Sequence, residues 1–140
     1  MRMRVLTQTS KGKLLAIANH LTKAIEADKD TDVIMPAYPC DGERLVIIVA
    51  SAKSTMPDHF CRFLRTISRN NTANIAFVID GTEENAQKIV EMAKTSNCNV
   101  IGDNILYVKG GLPFKFAKSV SKEELEAADA WVAQIKAAMV

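Results

Sequence analysis

Apolar positions along this chain fall into two patterns that alternate: short continuous runs, and stripes spaced three and four residues apart. Met3-Arg4-Val5-Leu6-Thr7 predicts a short strand, followed by the polar turn Gln8 to Lys13. Leu14, Ile17, Ala18, Leu21 and Ile25 then lie on one helical face, and the polar stretch Asp28 to Asp32 is expected to end that helix. Val33-Ile34-Met35 predicts a brief second strand, stopped by Pro36 and again by Pro39, where backbone donors are missing. Leu45 to Ala50 is apolar without alternation, as expected of a strand covered on both faces. The polar loop Ser51 to Thr55 follows, and Pro57 suits the first turn of a helix whose buried stripe is Phe60, Phe63, Leu64 and Ile67.

The scheme then repeats. Ile75 to Ile79 predicts a second buried strand ending at Asp80-Gly81. Thr82 is placed to cap the next helix, with Glu83 and Glu84 favourable at its positive end and Ala86, Ile89, Val90 and Ala93 facing inward. Asn99 to Ile101 and Ile105 to Val108 read as strand, separated by a bulge or turn at Gly102-Asp103-Asn104. Gly110 opens a long loop, Ser121-Lys122-Glu123-Glu124 forms a capping box, and Leu125, Ala128, Val132, Ile135 and Met139 share the last helical face. Five strand candidates interleaved with four helices predict an α/β domain with a parallel sheet. Only eight residues separate Pro36 from Leu45. Extended, they reach roughly 27 Å, enough to run back along one strand but not to form a crossover helix. The second strand is therefore expected at a sheet edge.

Composition narrows the picture. The 140 residues carry 18 Lys+Arg against 16 Asp+Glu, a net charge of +2, which excludes bulk attraction to a nucleic acid and predicts no nucleic-acid partner. No apolar run is long enough to span a bilayer, and no signal-peptide stretch follows Arg2 and Arg4. Cys40, Cys61 and Cys98 are odd in number and lack ligand spacing, so reduced thiols and a cytoplasmic location are expected. One domain is predicted across residues 1–140, since no linker or repeat interrupts the pattern.

In open α/β sheets, ligands bind beyond the carboxyl ends of the strands where the winding reverses. That places a cleft among the loops Thr7 to Lys13, Ala50 to Met56 and Asp80 to Thr82. The first loop enters a helix N-terminus, whose leading N–H groups lack partners and attract anions, with Lys11, Lys13 and Lys53 adding positive charge. On the local sequence alone, Thr9 and Ser10 read more simply as helix caps, with the lysines solvated. Other small α/β activities fail on inspection. Thr7-Gln8 and Ser51-Ala52 stand where a phosphoacceptor receiver needs acids, and Cys40 and Arg44 are too close for a Cys-x5-Arg phosphatase cradle. His20 and His59 read as solvated or capping residues, and no metal site is expected. No nucleophile–base pair is visible, so no catalytic residue is assigned.

The hydroxyl-rich turn, the helix opening at Gly12, the Ser51–Thr55 loop with Pro57 beyond it, and the succession of elements together resemble flavodoxin-like domains. The resemblance runs from Met3 to about Val132. It implies a three-layer flavodoxin-like fold, a five-stranded parallel sheet ordered 2-1-3-4-5 with helices on both faces. It also implies noncovalent FMN binding, for electron transfer with a redox partner protein or for reduction of a small acceptor. Family members hold the FMN phosphate on a turn of the form S/T-x-T-G-N-T. Thr9 matches its first hydroxyl residue and Gly12 its glycine, while Lys11, Lys13 and Leu14 replace Thr, Asn and Thr, with Ser10 between. Family loops after the third and fourth strands commonly supply aromatic residues against the flavin ring. Here Ser51, Ala52, Lys53, Ser54 and Thr55, and Asp80, Gly81 and Thr82, occupy those places without an aromatic, leaving Tyr38 as the nearest candidate. These departures predict weak FMN binding. A second reading is a flavin-free interaction or small-anion-binding module, for which the Gly110–Ser119 loop, with Leu112, Phe114 and Phe116 among lysines, would provide a partner surface.

Overall fold

The strongest apolar runs form the middle of the sheet. Leu45 to Ala50 lie within β3 (Glu43–Ala52) and Ile75 to Ile79 within β4 (Thr72–Gly81), and all of these side chains are buried. A computed structural model describes residues 2–8, 12–27, 31–33, 43–52, 58–66, 72–94, 99–108 and 122–139. β1 (Arg2–Thr7) pairs in parallel with β3 on one side and with the two-residue β2 (Asp32–Val33) on the other. β4 pairs in parallel with β3 and with β5 (Asn99–Tyr107), so β2 and β5 are the sheet edges.

Helices cover both faces, and the alternation along each strand decides which side chain meets which helix. Val5, Ile47, Val49 and Val78 pack with α1 (Gly12–Ala24) and α4 (Lys122–Ala138). Leu6, Ile48, Phe77 and Ile79 pack with α2 (Asp58–Thr66) and α3 (Glu83–Lys94). The unalternating runs are thus buried twice over, which is why they carry no polar face.

The element ends differ from the sequence expectation in two places, and an open alternative is resolved in a third. Ser51 and Ala52 are not loop but the tail of β3, because the ladder continues through Ser51 opposite Asp80 and Ala52 opposite Gly81. α1 ends at Ala24, before the polar stretch expected to stop it. Glu26, at φ 54°, donates from its N–H to the Lys23 carbonyl, and the Ala27 N–H reaches the Thr22 carbonyl at 3.0 Å. Those two bonds make a Schellman turn, with glutamate where glycine is usual. The Gly102–Asn104 interruption is a bulge inside a continuous β5: a two-residue step on β4, Ala76 to Val78, faces a five-residue step on β5, Ile101 to Leu106.

The inward stripes of α2 and α3 hold as expected at Phe60, Phe63, Leu64, Ala86, Ile89, Val90 and Ala93. On α4, Trp131 joins Ala128, Val132 and Ile135 in the core, while Leu125 and Met139 are only half-buried. Ile67, the Gly110–Ser119 loop and the Ser121 cap lie outside the described residues, as do Tyr38, Cys40 and Cys98. Cys61 is a free, half-buried thiol.

Candidate functional site

β1, β3, β4 and β5 all deliver their carboxyl ends to one edge of the sheet, because every pairing is parallel. β1 stops first. The Gln8 N–H extends its ladder by one bond, to the Val49 carbonyl at 2.9 Å. The Gln8 side chain then replaces the missing strand: its Oε1 accepts the Ser51 N–H at 2.8 Å. This clip satisfies a β3 donor beyond the point where β1 can reach it, and sequence reasoning gave Gln8 no role. Thr7 is fully buried beneath it, Ser51 is half-buried, and Asp80, beside Ser51 in register, is buried.

α1 begins at Gly12, close behind Gln8, and has no acidic residue in its first turn. No carboxylate of that turn therefore offsets the positive end of the helix. Gly12 and Lys13 form the first turn of that helix. Leu14, aligned with a phosphate-binding threonine, is turned into the core with Val5 and Ile17, so only its backbone faces the helix end. Thr9, Ser10, Lys11, Lys53, Ser54 and Thr55 lie outside the described residues.

α3 presents the opposite electrostatics. Thr82 caps it: its Oγ1 accepts the Asn85 N–H at 3.2 Å, and its carbonyl accepts the Ala86 N–H at 3.0 Å. Glu83 and Glu84 occupy the first turn, where the helix dipole favours them. The Thr82 hydroxyl is thus committed to the helix, as the capping expectation held.

Tyr107, at the carboxyl end of β5, was missed. It is 44% exposed and is the one large apolar side chain so exposed among the described residues. The Val108 N–H bonds the Ile79 carbonyl at 3.0 Å and carries the ladder right up to this edge. Burial raises the phenol pKa above its ordinary value, and the Glu83 carboxylate raises it further. Tyr107 lies on neither of the loops after β3 and β4, yet the strand ending Ile105-Leu106-Tyr107 was signal enough to place it on the same edge.

Away from this edge, His20 on α1 is not simply solvated: its Nε2 lies 2.8 Å from Asp129 Oδ1 on α4. No group of three or more His, Cys, Asp or Glu side chains able to hold a metal is found among the described residues. Nor is any described helix long and apolar enough to cross a membrane. Compared with known proteins, the chain matches no protein-family model and no curated protein.

Proposed function

We propose that this chain is a flavodoxin-like domain, wound in the strand order 2-1-3-4-5, that binds FMN noncovalently in the cytoplasm for electron transfer or for reduction of a small acceptor. The observation that carries the reading is α1. It starts at the carboxyl end of β1, an interior strand, with no acid in its first turn, whereas α3 on the same edge carries Glu83 and Glu84. The edge is polarised, and its α1 end is where an anionic phosphate is favoured.

The residues fit the phosphate better than they fit the family's side-chain pattern. Leu14 faces the core, so the backbone N–H groups at the start of α1 do the work. Two lost hydroxyl contacts to a charged partner weaken binding by roughly 1.5–3 kcal/mol each. Bound FMN supplies the redox chemistry, and the protein holds the phosphate and orients the ring.

Micromolar or poorer affinity follows, so the protein is expected to purify mostly colourless. FMN titration followed by amide NMR tests this: shifts at the start of α1 are expected, and binding should tighten at least about tenfold on restoring the family turn with Lys11→Thr and Lys13→Asn, Leu14 being kept because its side chain belongs to the core. Retention of flavin through dialysis by the wild type would contradict the weak affinity. A second reading, a flavin-free module binding a small anion, is favoured by the edge between α1 and β5, where Ser51, Asp80, Gly81 and Thr82 contribute no aromatic surface. Phosphate shifting the same amides while FMN adds no affinity over it would select that reading.

A further inference from the structure

We propose that Tyr107 is the surface on which the flat ring of the bound ligand rests, so that the ring site is built from β5 and not from the loops after β3 and β4. This inference rests on the reading that a phosphate-bearing ring compound occupies the carboxyl edge. It adds to that reading a residue and a direction for the ligand.

Placement supports it. Parallel strands are about 4.8 Å apart, so β5 stands three strand spacings, about 14 Å, from β1, the strand that leads to α1. A ligand with its phosphate at α1 and its ring at the far end crosses the ends of β3 and β4 on the way. There it passes Ser51 and Gly81, and Gly81 has no side chain to obstruct a flat body. Ile105 packs with the α2 and α3 side of the core and Leu106 with the other, so the alternation puts Tyr107 on the α3 side, next to Glu83.

Chemistry supports it as well. Among the described residues, the exposed Tyr107 is the aromatic face at this end that rewards a flat conjugated ring, through offset stacking beyond simple area. The neighbouring Glu83 carboxylate disfavours a phosphate at this end, and the Tyr107 ring offers an uncharged face. The polarity of the edge therefore orients the ligand: phosphate at α1, uncharged ring at Tyr107.

The test compares wild type, Tyr107→Ala and Tyr107→Phe, each titrated with FMN and with inorganic phosphate. Tyr107→Ala is expected to weaken FMN binding by about threefold to tenfold and to relieve quenching of flavin fluorescence. Tyr107→Phe keeps the ring face and should bind FMN like the wild type, and neither variant should alter binding of phosphate alone. Wild-type FMN binding that is unchanged in Tyr107→Ala overturns this inference and leaves the FMN reading standing. A wild type that binds phosphate but gains nothing from the flavin overturns both.

Discussion

Arg4 stands on β1 with 2% of its surface exposed, its guanidinium 3.4 Å from Asp32 on β2 and 3.8 Å from Glu43 on β3. The local pattern passes over it, because nothing beside one arginine between Met3 and Val5 marks it as buried. Burial makes it a clip across three strands. Removing one member of a buried charge set leaves its partners uncompensated, so Arg4→Ala is expected to cost about 3–5 kcal/mol in urea denaturation. Asp32→Asn should cost less, since Asp32 is a quarter exposed and water takes over part of its role. Tyr107 gives the second residue-scale expectation. Burial and then Glu83 both favour the neutral phenol, so its folded pKa lies above 10.0. Any stability it contributes is intact below that pH and is lost as pH rises through the folded value. In a Tyr38→Phe background, phenolate absorbance should titrate above 10.0, and Glu83→Gln should lower the midpoint without restoring it fully, burial being the larger cause.

Among the elements, α1 shows most directly how tertiary and local demands divide. Its buried stripe from Leu14 to Ile25 is plain in the sequence, yet its end is not. Ile25 must enter the core beyond the last helical residue, and the chain turns there through Glu26 in the left-handed region. A non-glycine residue is disfavoured in that conformation by roughly 1–2 kcal/mol. Glu26→Gly should therefore stabilise the protein by about 0.5–1 kcal/mol in thermal or urea unfolding, the rest being offset by greater freedom of the unfolded chain. No glycine or asparagine marks this turn, which is why the helix end was misplaced. The α3 cap was legible because Thr82-Glu83-Glu84 carries its own chemistry: a hydroxyl acceptor for orphan N–H groups and acids for the dipole.

At the scale of the whole molecule, side chains far apart in sequence tie the layers together. Asn74, fully buried, donates to the Arg44 carbonyl at 2.8 Å and accepts from Asn99 at 2.8 Å, joining β3, β4 and β5 near their starts. His20 and Asp129 join α1 to α4 on one face of the sheet. That pair is largely open to water, so a double-mutant cycle of His20→Ala and Asp129→Ala should show a coupling of about 0.2–1 kcal/mol. A coupling several times larger would mean that the pair organises the α1–α4 contact instead of decorating it.

The sequence by itself determined the elements whose cause is local or periodic: the doubly buried runs of β3 and β4, the inward stripes of α1, α2 and α3, and the Thr82 cap. Tertiary structure alone decided the rest. Ser51 and Ala52 became strand because β4 offers them a ladder, Gln8 became a clip because β1 ends before β3 does, and Arg4 became buried because two other strands bring carboxylates to it. Tyr107 reached the candidate site for the same reason, since parallel pairing carries the end of β5 to the edge where α1 begins. Hydrophobic period is written along the chain, residue by residue. The partner of a polar group is chosen across it, and only the folded sheet brings the two together.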